Sequence, residues 1–196
     1  SLNTNETVNS LCELFDKNYE PQKNMEYSYI ELANIGATGE IVGVETISSD
    51  ELPSRARRLV KKGQVIVSSI EGSLDSCALI TDEFDNALCS TGFYVLSSNK
   101  INSGTLFMLF KSKMIQQLLK QRCSGTILTA ISKEEFLQMP LPYIDEGTQK
   151  EIAEKVQESF KLREQSKRLL DNAIKAVEMA IEIDEESALL WLEMQN

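Results

Sequence analysis

Apolar residues in the first hundred positions alternate in short runs, and from about residue 105 they repeat at helical spacing. Residues 27–34, Tyr-Ser-Tyr-Ile-Glu-Leu-Ala-Asn, alternate and carry β-formers, so they predict a strand; a shorter one is expected over 41–46. Residues 64–70 form the clearest strand pattern in the chain. Residues 77–81 and 87–96 follow it on either side of the acidic loop Asp82-Glu83-Phe84-Asp85-Asn86. So short and interrupted a set predicts a small twisted sheet, mixed or antiparallel. Over 105–122, Leu106, Met108, Leu109, Phe110, Met114, Leu118 and Leu119 make one apolar helical stripe, ended by Gly125. Ser132-Lys133-Glu134-Glu135 matches the S-x-x-E capping box and opens a short helix, which Pro140 and Pro142 close.

From residue 148 to the end there is neither Gly nor Pro. Ile152, Val156 and Phe160 repeat every four residues, and Leu170, Ile174, Val177 and Ile181 repeat at four, three and four. A polar stretch, Arg163-Glu164-Gln165-Ser166-Lys167-Arg168, separates the two groups. The pattern predicts one long amphipathic helix over 148–185 with a broken heptad seam, spanning roughly 55–60 Å at about 1.5 Å per residue. A compact domain of this size is shorter, so the helix is expected to protrude and to need a partner. The apolar tail Ala188-Leu189-Leu190-Trp191-Leu192 reads as a further docking segment anchored by Trp191. The expected division is therefore a globular domain over 1–147 and a spacer or dimerisation helix over 148–196.

The chain has 196 residues, 42% of them hydrophobic and 26% charged, which suffices for a folded core. No apolar run approaches the roughly 18 residues of a bilayer span, and residues 1–19 lack the basic-then-apolar order of a signal peptide. A soluble, cytoplasmic protein is expected. Ser1-Leu2 has the look of a cloning remnant, which would make the chain a piece of a longer one.

The absence of histidine removes Ser-His-Asp and Cys-His nucleophiles and HExxH zinc sites. Cys12, Cys77, Cys89 and Cys123 form no CxxC pair, so they are expected to be reduced packing residues, with neither metal nor cofactor. Gly36, Gly39 and Gly43 lack phosphate-loop spacing and read as turns. Glu71 with Asp75, and Asp82 with Asp85, read as acidic turns. Pro140-Leu141-Pro142-Tyr143 is not the Asp/Asn-Pro-Pro-aromatic motif of an amino-methyltransferase. No Asp or Glu has Lys two positions on, as a PD-(D/E)xK nuclease requires. The chain reads as a non-enzyme.

Net charge is −10, which alone speaks against nucleic acid, but the charge is unevenly placed. Residues 1–26 carry two bases against five acids and residues 148–196 seven against eleven, whereas 27–125 balance at ten each. Within that neutral middle the signs are segregated. Arg55, Arg57, Arg58, Lys61 and Lys62 fall within eight residues, and 100–122 holds five bases and no acid. Arginines and lysines beside loops rich in Ser, Thr and Asn suit phosphate positioning and base reading, although such a run also suits a solvated face.

The ordered string of short motifs resembles the DNA specificity subunits of type I restriction–modification systems. It consists of Tyr29-Ile30-Glu31-Leu32-Ala33-Asn34-Ile35, Pro53-Ser54-Arg55-Ala56-Arg57, Gly63-Gln64-Val65-Ile66-Val67-Ser68-Ser69-Ile70, Ser90-Thr91-Gly92-Phe93-Tyr94-Val95-Leu96, Gly125-Thr126 with Ile131-Ser132, Pro140-Leu141-Pro142, and Gln149-Lys150-Glu151-Ile152. Gln64 stands where that family commonly has Asp, and Glu146-Gly147-Thr148-Gln149 where it commonly has Glu-Glu-Gln. The resemblance implies an α+β fold: a target-recognition domain with peripheral helices, then a long coiled-coil helix. It implies reading of one half of a bipartite duplex target, with methyltransferase and restriction subunits as partners. Many members carry two recognition domains and two helices, so this chain looks like a half-subunit or a recognition module cut from a longer protein. Expected DNA contacts are Arg55 and Arg57 acting together with Ser68 and Ser69 on the adjoining strand end, Lys61 and Lys62 toward phosphates, and Arg58 and Thr126. A homodimer is expected through Ile152, Val156, Phe160, Leu170, Ile174, Val177 and Ile181. The competing reading is a coiled-coil scaffold whose globular head binds protein.

Overall fold

The computed structural model describes residues 5–124 and 129–195. The chain divides into two compact units, the first ending at Ala153 and the second beginning at Glu154. The first unit opens with α1 (Val8–Leu11), β1 (Glu13–Leu14), β2 (Glu26–Ile30), β3 (Glu45–Ser48), β4 (Ala56–Leu59), β5 (Val65–Ser68) and β6 (Cys77–Leu79). It continues through β7 (Leu88–Ser90), β8 (Phe93–Ser97), α2 (Ser103–Lys111), α3 (Lys113–Arg122), β9 (Cys123–Ser124), β10 (Ala130–Ile131) and α4 (Lys133–Leu137). The long helix α5 (Glu146–Glu182) starts in this unit, and α6 (Glu185–Glu193) follows it in the second.

The expected mixed and antiparallel strand pairing is present, as two four-stranded sheets and the pair β9–β10. One sheet is antiparallel, in the order β1-β8-β5-β6; the other has the order β3-β2-β7-β4, with β2 and β7 parallel. β5 carries Val-Ile-Val-Ser and is buried at every position, because both faces of its sheet are covered. On one face, Ile66, aligned with Val95 and Ala78, packs in a single cluster with Ile30 and Cys89 of the second sheet. On the other face α2 lies against β5 and β6 and brings in the buried Leu106, Phe107 and Phe110. The outer face of the second sheet holds a smaller cluster of Tyr27, Tyr29, Ala56 and Leu88 under Tyr19, Ile47, Leu52 and Leu59.

Several predicted elements are broken where side chains take over backbone bonding. The strand expected over 87–96 is two strands in different sheets: Gly92 N donates to Ser90 Oγ at 3.2 Å, and the chain changes sheet there. The helix expected over 105–122 is two helices, since Ser112 leaves helical geometry and its hydroxyl caps α3 by accepting from Ile115 N at 3.4 Å. The strand expected over 41–46 begins only at Glu45. Ahead of it Asn34 Nδ2 donates to the carbonyls of Val42 and Gly43 at 3.0 and 2.8 Å, which holds that stretch as a loop. The cap expected at Ser132 is present, its hydroxyl accepting from Glu135 N at 3.2 Å.

Before α5, Asp145 accepts from Thr148 N at 3.0 Å and from the Thr148 hydroxyl at 2.7 Å. This Asp-x-x-Thr cap stands where the Glu-Glu-Gln pattern is replaced. In the second unit the chain turns at Asp184, whose carboxylate accepts from Ser187 N at 2.7 Å and so caps α6. Ala176 and Ala188 are buried, and the Lys175 ammonium stands 4.9 Å from the centre of the Trp191 ring. The tail thus docks on its own helix. Among the described residues, no helix is long and apolar enough to cross a membrane.

Candidate nucleic-acid interface

The basic segment enters the second sheet through a turn. Ala56 N donates to Pro53 O and Arg57 N to Arg55 O, each at 2.9 Å. The β4–β7 register then slips between Ala56 and Arg58, which makes Arg57 the extra residue of a bulge. The bulge keeps Arg55 and Arg57, expected to act together, from lying on one side of an extended strand. Arg55 Nη2 faces Glu31 Oε1 at 3.5 Å, whereas Arg57 donates from Nε to Ser54 O at 3.2 Å and from Nη1 to Glu20 at 3.4 Å. Arg58 Nη1 donates to Asn18 Oδ1 at 2.5 Å.

Lys61 and Lys62 lie farther along, in a turn where Gly63 takes the left-handed conformation at φ +83°. Lys61 bonds Asn86, and Lys62 pairs with Asp82 at 2.7 Å, while Lys62 N donates to Asp85 Oδ1 at 2.9 Å. The acidic loop 82–86 thus fastens this turn. Exposed ion pairs of this kind are worth about 0–1 kcal/mol, so a phosphate can displace such a carboxylate.

Ser68 and Ser69 do not belong to any such surface. Ser68 is fully buried, with its hydroxyl 3.0 Å from the Ser73 hydroxyl, and the Ser69 hydroxyl donates to Gly92 O at 2.9 Å. Ser68 holds the turn after β5 and Ser69 braces the crossing between sheets at Gly92, and their expected DNA contacts are withdrawn. Thr126 lies outside the described residues.

The basic stretch 100–122 also divides. Lys111 Nζ donates to Ala37 O and Asp75 O, both at 2.8 Å, and so ties two loops to the end of α2. Lys100 Nζ donates to Ser10 O at 2.8 Å, and Arg122 pairs with Glu135 at 2.8 Å. These three act within the fold.

The buried cysteines serve packing. All four cysteines are unpaired thiols. Burial pushes Cys77 and Cys89 up and takes Cys12 to about 12, far from a reactive thiolate. Among the described residues no group of three or more acids and cysteines is placed to hold a metal ion.

Along α5, Val156 is buried and Ile152 and Phe160 are half-buried, with the Arg163 guanidinium 5.5 Å from the Phe160 ring centre. Leu170, Ile174, Val177 and Ile181 are 63, 58, 60 and 79% exposed. The second half of the predicted seam is thus open in the single chain, while its first half is not.

Three residues of consequence had no site signal in the sequence. Glu31 and Tyr29 stand inside a stretch that reads as a strand, and Arg55, the ion-pair partner of Glu31, is 24 residues farther along the chain. Gln149 sits in a motif, but its role depends on a contact 47 residues back.

A family model described as "Type I restriction modification DNA specificity domain" matches residues 6–175. A curated relative, the type I restriction enzyme EcoDI specificity subunit of Escherichia coli, is 28% identical over 140 residues, covering 71% of this chain and 30% of its own length. Among solved structures, a chain from the type I R-M system aligns with a TM-score of 0.69 and 27% identity over 89% of this chain and 46% of that one. The HsdS subunit from Thermoanaerobacter tengcongensis aligns with a TM-score of 0.68 at 24% identity, over 90% of this chain and 46% of that one, a likeness of fold. The chain thus spans less than half the length of these relatives.

Proposed function

Because the chain belongs to the family of type I restriction modification DNA specificity domains, we propose that it reads one half of a bipartite duplex target and leaves methyl transfer to partner subunits. The observation that carries this reading is the match over residues 6–175, which takes in both the two-sheet unit and most of α5. In support, the cations Arg55, Lys61 and Lys62 are exposed, and their partners Glu31, Asn86 and Asp82 are exchangeable. Methyltransferase and restriction subunits are the proposed protein partners. The seam of Leu170, Ile174, Val177 and Ile181 is the proposed homodimer contact, because a single recognition unit reads only half a site and an exposed apolar stripe favours burial.

The test is retention of duplex DNA across a salt series. A DNA-reading chain loses affinity linearly in log salt, with a slope of about −0.9 per phosphate neutralised. Retention indifferent to salt would leave the scaffold reading in its place.

A further inference from the structure

We propose that Glu31 and Arg55 form a base-reading pair, in which the guanidinium takes the O6/N7 edge of a guanine and the carboxylate holds it in that pose. The proposal rests on the DNA-reading function given above. Arg55 differs from its two neighbours in the cluster. Its side chain is 63% exposed against 31% for Arg57, and it meets Glu31 through Nη2 alone at 3.5 Å. The exposed part of the planar fork is available to a base edge, the geometry in which arginine recognises guanine.

The backbone beneath the pair is fixed. Arg55 O accepts from Thr91 N and Arg57 N, each at 2.9 Å, and Glu31 N donates to Asn34 Oδ1 at 2.7 Å. Glu31 and Thr91 directly follow β2 and β7, the two parallel strands, so the pair stands where those strands end together. A reading group needs this kind of rigid base.

The carboxylate decides between roles. Beside a phosphate contact, Glu31 would add repulsion and weaken binding to every sequence alike. Beside a base contact it orients the guanidinium, and it can itself accept from a cytosine amino group. Tyr29 adds a second sign. Its side chain is buried, and its hydroxyl has no hydrogen-bond partner among the described residues, although the Ser90 hydroxyl and the Arg55 guanidinium stand close to it. A buried hydroxyl left so costs stability, and here it lies directly beside the exposed pair.

The experiment is selection from a randomised duplex library with the full chain, alone and mixed with type I methyltransferase subunits. Arg55→Ala, Arg55→Lys and Glu31→Gln should each lose preference at one and the same G·C pair, by roughly 5- to 150-fold, with the rest of the selected motif intact. The lysine variant is included because a point charge cannot replace the fork. Lys61→Ala with Lys62→Ala should lower retention of all sequences evenly. An Arg55→Ala variant that weakens every sequence alike, or a Glu31→Gln variant with an unaltered preference, would overturn the pair. If the unmutated chain selects no sequence, the DNA-reading function falls first and the pair with it.

Discussion

Asn102 and Gln149 are bonded to each other twice. Asn102 N donates to Gln149 Oε1 at 2.7 Å, and Asn102 Nδ2 donates to Gln149 O at 2.9 Å. Gln149 Nε2 also donates to Lys100 O and Ile144 O at 3.0 and 2.7 Å, while Asn102 Oδ1 caps α2 by accepting from Thr105 N at 2.8 Å. The first turn of α5 is thereby built into the globular unit through a 4%-exposed amide with all its polar atoms engaged.

Gln149→Ala should cost about 2–4 kcal/mol, because it leaves one buried donor and two carbonyls without partners. Gln149→Glu should cost at least as much, since a carboxylate cannot donate to the Lys100 and Ile144 carbonyls. Urea unfolding of the three chains measures both differences.

Tyr29→Phe should leave the free protein as stable as before or raise its stability by up to about 1 kcal/mol, since it removes a buried hydroxyl that lacks a partner. A rise or no change in melting temperature is expected, and a clear fall would show that the hydroxyl is satisfied in solution.

Asp16 pairs with Lys133, which holds its carboxyl below the usual range and links the segment after β1 to α4. With the folded-state value depressed, the pair stabilises fully above the ordinary carboxylate value of about 3.9 and is lost as pH falls through the folded-state value. Asp16→Asn should therefore be slightly less stable than the unmutated chain at pH 7, and the gap should close in the acid range. Thermal melts at pH 7 and pH 3 read this directly.

Much of the fold was legible in local pattern, and most of what was not depends on residues far apart in sequence. The Val-Ile-Val run of β5 and the Ser132 cap act locally, so their composition shows them. Nothing local says that Ser90-Thr91-Gly92 carries the chain from one sheet to the other, or that Ser112 interrupts a continuous apolar stripe. Ser68 and Ser69 read as hydroxyls at an accessible strand end, but β5 is a central strand and both are buried. The basic cluster is plain in the sequence, yet its division follows from acids contributed by three other segments, at Glu31, Glu20 and Asp82.

Leu170→Asp with Ile174→Asp should yield a monomer without loss of helix content, because both side chains are exposed in the single chain. Sedimentation of the variant and the unmutated chain, with circular dichroism alongside, checks this. An unmutated chain that sediments as one protomer would remove the homodimer.

The most direct measurement of the central claim is the methylation pattern that this chain confers when it is expressed with type I methyltransferase subunits in cells lacking other methyltransferases. Two copies related by a two-fold axis present the same reading surface to both half-sites. The predicted result is one methylated motif made of two inverted, identical half-sites across a fixed gap, with one half-site base pair relaxed by Arg55→Ala. No chain-dependent methylation, or a motif with two unrelated halves, would contradict the account.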